Sequence, residues 1–214
     1  MEVVLETHRI FLLSPANVAG KRAKMLLNTQ ADFELARRLH TGGQVTLAEA
    51  FTFMSGLYFR GKLAYARAFA HPPAGVTGAY VITTNRGLVP VETLVTAGEL
   101  DSFSGDSIDA QNKGYSEPLI RTALAVANAT PGDCTIILLG SVASRKYIDH
   151  LLPIFGENLL FPLEFVGRGD MSRGGLLLRC AATNHMLDHV PIAGARLRGK
   201  RPPRLVSVLD KSEG

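Results

Sequence analysis

Cysteine is scarce: the 214 residues hold only Cys134 and Cys180, each in or beside an apolar run and neither in a C-x-x-C spacing. That excludes a disulfide framework and a cysteine metal knuckle, and it reads as buried thiols in a reducing compartment. Long apolar runs are also missing, since nothing approaches the roughly 20 residues that a membrane helix needs. Residues Met1 to Glu6 show no basic segment followed by an apolar core, so no secretory leader is expected. A soluble, cytoplasmic protein with no membrane partner is the expectation. The six histidines have no triad-like setting. His185 and His189 have a chelating spacing only on a helix, where they would share a face; their segment reads as a strand, and no third ligand stands near. No metal or other cofactor is implied. Ser172 has no visible base, which argues against a serine hydrolase, and no internal repeat or low-complexity tract is present.

What is there is the makeup of a globular domain. Hydrophobic residues make up 46% and charged residues 20% of the chain, enough to bury a core without crosslinks. The net charge is +4, unevenly spread: residues 98–133 carry six acids and two bases, residues 166–214 nine bases and four acids. Within that last part Arg196, Arg198, Lys200, Arg201 and Arg204 fall in nine residues. Such a cluster is either an electrostatic footprint for a polyanion such as a nucleic-acid backbone, or a solubilising arm. No aromatic residue interleaves it, which weakens a base-stacking version.

Residues Arg9 to Ser14 read as a buried strand ending at a turn, followed by a helix from Val18 to Leu27. A helix from Asp32 to His40 follows a Thr29-x-x-Asp32 cap pattern. Thr46-x-x-Glu49 is a capping box for a third helix, which Gly56 breaks before a fourth from Tyr58 to Ala70. Ala79 to Thr84 reads as a strand, residues 98–114 as a long acidic loop, Glu117 to Ala129 as a helix, Cys134 to Leu139 as a buried strand, and Ser144 to Phe155 as a helix. Leu163 to Val166, Leu176 to Cys180 and Met186 to Pro191 read as further strands. The expectation is an α/β fold: a mostly parallel central sheet with helices on both faces, plus extra C-terminal strands. Residues 1–160 would form the core and 161–214 a strand-rich extension with the basic tail.

Ligands of such sheets bind beyond the carboxyl ends of the strands, and three strand exits carry suitable groups. Ser14 leads into a helix start bearing Lys21 and Arg22, where an anion would meet free backbone N–H groups. This is no Walker A loop: the leading glycine is missing and Arg22 stands where a hydroxyl should hold magnesium. Asn85 and Arg86 follow the second strand, in a segment that equally suits a plain polar turn with Gly87 at positive φ. Ser141 and Arg145 follow the third, with Ser144 a plain N-cap. A separate glycine-rich segment, Val166 to Gly175, sets Asp170 between Arg168 and Arg173. Glycine lets a backbone approach a ligand and arginine suits phosphate. Two arginines would favour the Asp170 carboxylate, fit to act as a base or to stabilise a cation; the same trio also suits a salt bridge that merely shapes a loop.

The order of these pieces resembles the peroxide-stress YaaA-like and archaeosine-synthase-associated domains, which share an α/β fold similar to uracil-DNA glycosylases. Ser14 through Lys21 is similar to their first strand-turn. Phe59-Arg60-Gly61-Lys62-Leu63-Ala64-Tyr65-Ala66 resembles their Phe-Arg-x-x-x-x-Tyr-Ala helix. Thr83 through Val89 resembles the second turn, and Leu139-Gly140 with Tyr147 a third. The resemblance spans about residues 10–155 and departs in offset at several of these pieces. It implies a nucleobase- or nucleic-acid-related site, without implying catalysis.

Three functions stay open from the sequence. The first is a nucleic-acid- or nucleotide-handling protein, with Asp170 serving N-glycosidic chemistry, the strand-exit residues Ser14, Lys21, Arg22, Asn85, Arg86, Ser141 and Arg145 together with Arg168 and Arg173 of the glycine-rich segment holding phosphate, and the basic tail holding the backbone. The second is an enzyme on a phosphorylated metabolite or nucleotide. The third is a non-catalytic interaction protein. The sequence does not give the oligomeric state.

Overall fold

The computed structural model describes residues 7–42, 45–105, 108–143, 145–195, 199 and 202–203. The basic residues Arg196, Arg198, Lys200, Arg201 and Arg204, and also Ser144, lie outside the described residues.

Strands β1 (Arg9–Leu13) and β4 (Thr135–Leu139) form the centre of the sheet, paired in parallel along their whole length from Arg9↔Thr135 to Leu13↔Leu139. Ile10, Phe11, Leu12 and Leu13 are all fully buried. Successive strand residues point to opposite faces, so the sheet is covered on both sides, which is why these strands read as continuous apolar runs. β2 (Ala79–Ile82) joins β1 in parallel, and β5 (Leu159–Pro162) joins β4 in parallel. Each edge is antiparallel: β3 (Leu88–Pro90) on β2, and β6 (His189–Pro191) on β5. The order is β3-β2-β1-β4-β5-β6. The sheet is therefore mixed, not mostly parallel as expected. β3 returns directly on β2, while β6, which lies within the strand expected over Met186 to Pro191, reaches β5 only after the intervening residues 163–188.

Eight α-helices accompany the sheet among the described residues: α1 (Lys21–Leu27), α2 (Glu34–His40), α3 (Leu47–Ser55), α4 (Leu57–Phe69), α5 (Ala97–Ser102), α6 (Lys113–Asn128), α7 (Arg145–Phe155) and α8 (Asp170–Ala182). None is long and apolar enough to cross a membrane. The expected capping box opens α3: Thr46 Oγ1 accepts from the Glu49 N–H and the Glu49 carboxylate accepts from the Thr46 N–H. The Thr29-x-x-Asp32 pattern caps nothing. Phe33 is the N-cap of α2, and Asp32 pairs with Arg37. A second capping box, Thr96 with Glu99, starts α5 inside the segment expected to be an acidic loop.

The C-terminal part departs furthest from expectation. Leu163–Phe165 is a 3-10 turn, and Leu176 to Cys180 belongs to helix α8 rather than to a strand. Arg173, Gly174, Leu177 and Cys180 are its buried positions, a spacing of three to four that marks one helix face. The apolar run Leu176-Leu177-Leu178 hides that spacing, since short apolar runs do not distinguish strand from helix. Gly174 and Gly175 lower the local helix propensity, and tertiary packing overrides it. A Cβ on Gly61 of α4 would lie 2.5 Å from the Gly174 carbonyl oxygen, and a Cβ on Gly174 would lie 2.8 Å from the Leu57 carbonyl oxygen and the Tyr58 Cα. The two helices thus touch backbone to backbone. Gly174 serves this crossing rather than a ligand loop.

β6 is held to the body of the protein through Tyr65 of α4. The Tyr65 hydroxyl accepts from the Leu187 N–H (2.8 Å) and lies 3.1 Å from His189 Nε2. With its acceptor role taken, the hydroxyl donates to Nε2, which requires a neutral imidazole. Burial pushes the His189 pKa down to about 4, with Arg9 adding to the effect and Asp188 opposing it. A group depressed in the folded state contributes stability that is complete above its ordinary value of 6.5 and is lost as pH falls through about 4. Up to about 3 kcal/mol is expected to disappear across that window. Urea denaturation of the protein and of His189→Gln at pH 7 and pH 4.5 checks this, and equal losses in both proteins would contradict it.

Candidate functional site at the carboxyl edge of the sheet

The chain runs from β1 outward to β2 and β3, then returns to β4 on the other side of β1. This reversal between β1 and β4 is the topological switch point, the place beyond the carboxyl ends of the strands where sheets of this kind bind their ligands. Ser14 follows β1 and Gly140 follows β4, and the Ser14 N–H extends the ladder to the Leu139 carbonyl (3.1 Å). Gly140 keeps the spot narrow: a Cβ there would stand 3.2 Å from the Ser14 Cβ and 3.4 Å from Tyr147 Cε2.

Into this point comes Lys62 of α4, 1% exposed. Its Nζ donates to the Ser14 carbonyl and, at 2.8 Å, to Ser14 Oγ. It also sits 4.3 Å from the Tyr58 ring centroid and 5.1 Å from that of Phe59. Among the described residues Lys62 Nζ has no other acceptor, so one of its three donors is left over. Burial lowers the Lys62 pKa to about 7; Asp170 opposes this, while Arg173 and Lys146 reinforce it. A buried cation without a carboxylate in contact is costly, so its retention calls for a reason.

The surroundings carry further unusual groups. Tyr58 is buried beside Lys62, and its hydroxyl faces Arg173 and Ser14 without a hydrogen bond of normal geometry to either. Burial pushes its pKa up to about 12. Tyr147 of α7 is buried and its pKa is also pushed up by burial. Its neighbour Lys146, half-buried, is lowered by burial and supported by Asp170. Arg173 is buried, donates to the Phe165 carbonyl and lies 3.6 Å from Asp170, whose side chain is 69% exposed. The cluster therefore sets three cations, Lys62, Lys146 and Arg173, against one carboxylate.

Of the residues singled out in the sequence, Ser14, Asp170 and Arg173 come together here. The others do not. Lys21 and Arg22 lie exposed on α1, where Arg22 donates to the Phe53 carbonyl (3.4 Å). Asn85 donates to the Ser102 carbonyl and Arg86 pairs with Glu99 at 2.7 Å, so the second exit is committed to holding α5. Arg145 is exposed and pairs with Asp149 one turn on, and Ser141 is half-buried in the bend after β4. Arg168 turns away from Asp170, towards Ser172 Oγ and the Pro203 carbonyl. Lys62, Tyr58, Lys146 and Tyr147 were not among the expected site residues. A signal for Lys62 existed: it stands four residues after Tyr58 and three before Tyr65, on the buried stripe of an amphipathic helix where a lysine has no packing role.

No protein-family model, curated protein or solved structure matches the chain.

Proposed function

We propose that the carboxyl edge of the sheet binds a phosphate-bearing ligand of the nucleotide class. The observation that carries this reading is the buried Lys62 ammonium, seated at the switch point with a donor to spare and with Lys146 and Arg173 as its neighbouring charges. An incoming anion completes the hydrogen bonding of Lys62 and offsets the cost of its burial; by linkage, it also raises the lysine's proton affinity. Tyr58 and Ser14 supply hydroxyls for the ligand's remaining acceptors. Asp170, exposed at the first turn of α8 and within electrostatic reach of Lys62, is the group suited to stabilise positive charge on a sugar during cleavage or exchange of an N-glycosidic bond. A phosphorylated small metabolite would use the same anion seat and differs only in what fills the rest of the site.

Calorimetric titration with a nucleoside 5′-monophosphate, the matching nucleoside and inorganic phosphate tests the reading. The monophosphate is expected to bind and the nucleoside to bind at least about tenfold more weakly, the loss of one charge-assisted contact set. Lys62→Met and Lys146→Gln are expected to weaken the monophosphate and to leave the nucleoside unchanged. Asp170→Asn is expected to retain binding and to lose base release, followed by chromatography. Monophosphate binding that Lys62→Met leaves unaltered would place the ligand elsewhere.

A further inference from the structure

Two cavities lie side by side on the helical surface that leads to this site. One, of about 760 Å³, is lined by Arg22 and Met25 of α1, Phe53 of α3, Leu57 and Arg60 of α4, and Met171 of α8. The other, of about 520 Å³, continues between α2, α3 and α4. Both are lined by Thr52, Phe53 and Arg60, so they form one trough. Its inner end lies at the first turns of α4 and α8, where the next residues in sequence are Tyr58 and Asp170.

The trough has an apolar floor and a cationic wall. Met171 is 68% and Met25 47% exposed, large exposures for apolar side chains. Phe53 is stacked on Phe33, with centroids 5.0 Å apart and planes 18° from parallel. The larger cavity is lined by Arg22 and Arg60, both exposed. Among the described residues neither of the two pairs with a carboxylate, and no acid lines the larger cavity. The other charges lining the smaller cavity are paired, Glu49 with Arg38 and Arg67 with Glu92, so the unpaired cations belong to the larger cavity, next to the Lys62 site.

We infer that this trough is a track for a single-stranded polynucleotide whose end nucleotide enters the site at Lys62; the inference rests on the nucleotide reading of that site. Unpaired cations that follow an apolar, partly aromatic floor suit a chain of alternating phosphates and flat bases. A duplex would hold its bases out of reach of that floor. An acidic peptide would match the charge and leave the floor uncovered.

The test compares a nucleoside 5′-monophosphate with single-stranded oligonucleotides of two, four and eight nucleotides, by fluorescence anisotropy and competition at several salt concentrations. Affinity is expected to rise with length by about tenfold or more, and the octamer to show a steeper salt dependence than the monophosphate. Arg22→Glu combined with Arg60→Glu is expected to lower octamer affinity at least about tenfold, to flatten its salt slope, and to leave monophosphate binding unchanged. An octamer that binds no tighter than the monophosphate, an unchanged octamer affinity in the double variant, or equal competition by poly-glutamate overturns the track while the Lys62 site stands. Failure of the monophosphate itself to bind overturns the Lys62 reading, and the track with it.

Discussion

Lys62→Met is expected to yield a protein more stable than the original and weaker in binding the anionic ligand proposed for it. Methionine matches the unbranched lysine stem and adapts to irregular space, so the packing against Tyr58 and Phe59 survives. What disappears is a cation with 1% exposure whose hydrogen bonds reach only Ser14. Replacing buried charge with apolar volume commonly stabilises, and the orphaned Ser14 carbonyl takes back part of the gain. A net gain of about 1–3 kcal/mol at neutral pH is expected. The pH dependence identifies the cause. Lys62 titrates near 7 in the folded protein and at 10.5 ordinarily. Above the ordinary value the lysine is neutral in both states, and burial costs little. As pH falls from there towards 7, the unfolded chain takes up a proton that the folded protein does not, and stability drops. Below that both states are charged and the penalty is constant. The advantage of Lys62→Met should therefore be largest at and below pH 7 and shrink towards pH 10. Urea denaturation of both proteins at pH 7 and pH 10 reads it out. A variant less stable than the original at pH 7 would mean that the Ser14 hydrogen bonds make Lys62 a structural group, and the case for a strained ligand site would fail.

Gly174→Ala is expected to have the opposite effect, a loss of about 1–3 kcal/mol. Alanine in a helix interior ordinarily gains up to about 1 kcal/mol over glycine. Here the added methyl would lie 2.8 Å from backbone atoms of Leu57 and Tyr58, with no flexible side chain to give way. α8 has to move off α4, and with it Asp170 and Arg173 move relative to Lys62 and Tyr58. Ligand affinity should fall along with stability. Gly98→Ala is the control: it lies in α5 with nothing within 4 Å of its added Cβ, and it should be neutral to mildly stabilising. Thermal unfolding of both variants decides the matter. An unperturbed Gly174→Ala would show that the two helices are not held at backbone contact.

Much of the sheet and many of the helix boundaries were written locally. The runs Ile10 to Leu13 and Ile136 to Leu139 are apolar because both of their faces are covered, and the Thr46–Glu49 box and Gly56 are contained in a few consecutive residues. β6 falls inside the strand expected over Met186 to Pro191, whereas the three-residue β3 carried no signal of its own, and the antiparallel direction of both edges was not legible because direction is set by pairing, not by composition. Helix α8 was misread for a related reason: its glycines point to a loop until α4 is seen lying against them.

The same division runs through the candidate site. Ser14, Asp170 and Arg173 could be singled out as polar groups at chain turns, where sequence signals chemistry. Asn85 and Arg86 looked available in sequence, yet tertiary structure commits them to Ser102 and Glu99, because a polar side chain is free for a ligand only if no partner arrives from elsewhere in the fold; Arg145 is taken up locally by Asp149 one turn on in its own helix. Lys62 shows the converse. Its place on a buried helix stripe was determined by the sequence alone. That the stripe lies against the end of β1, at the point where the strand order reverses, was decided by the fold, because only a long-range crossover brings residues 14, 62, 140 and 170 to one place.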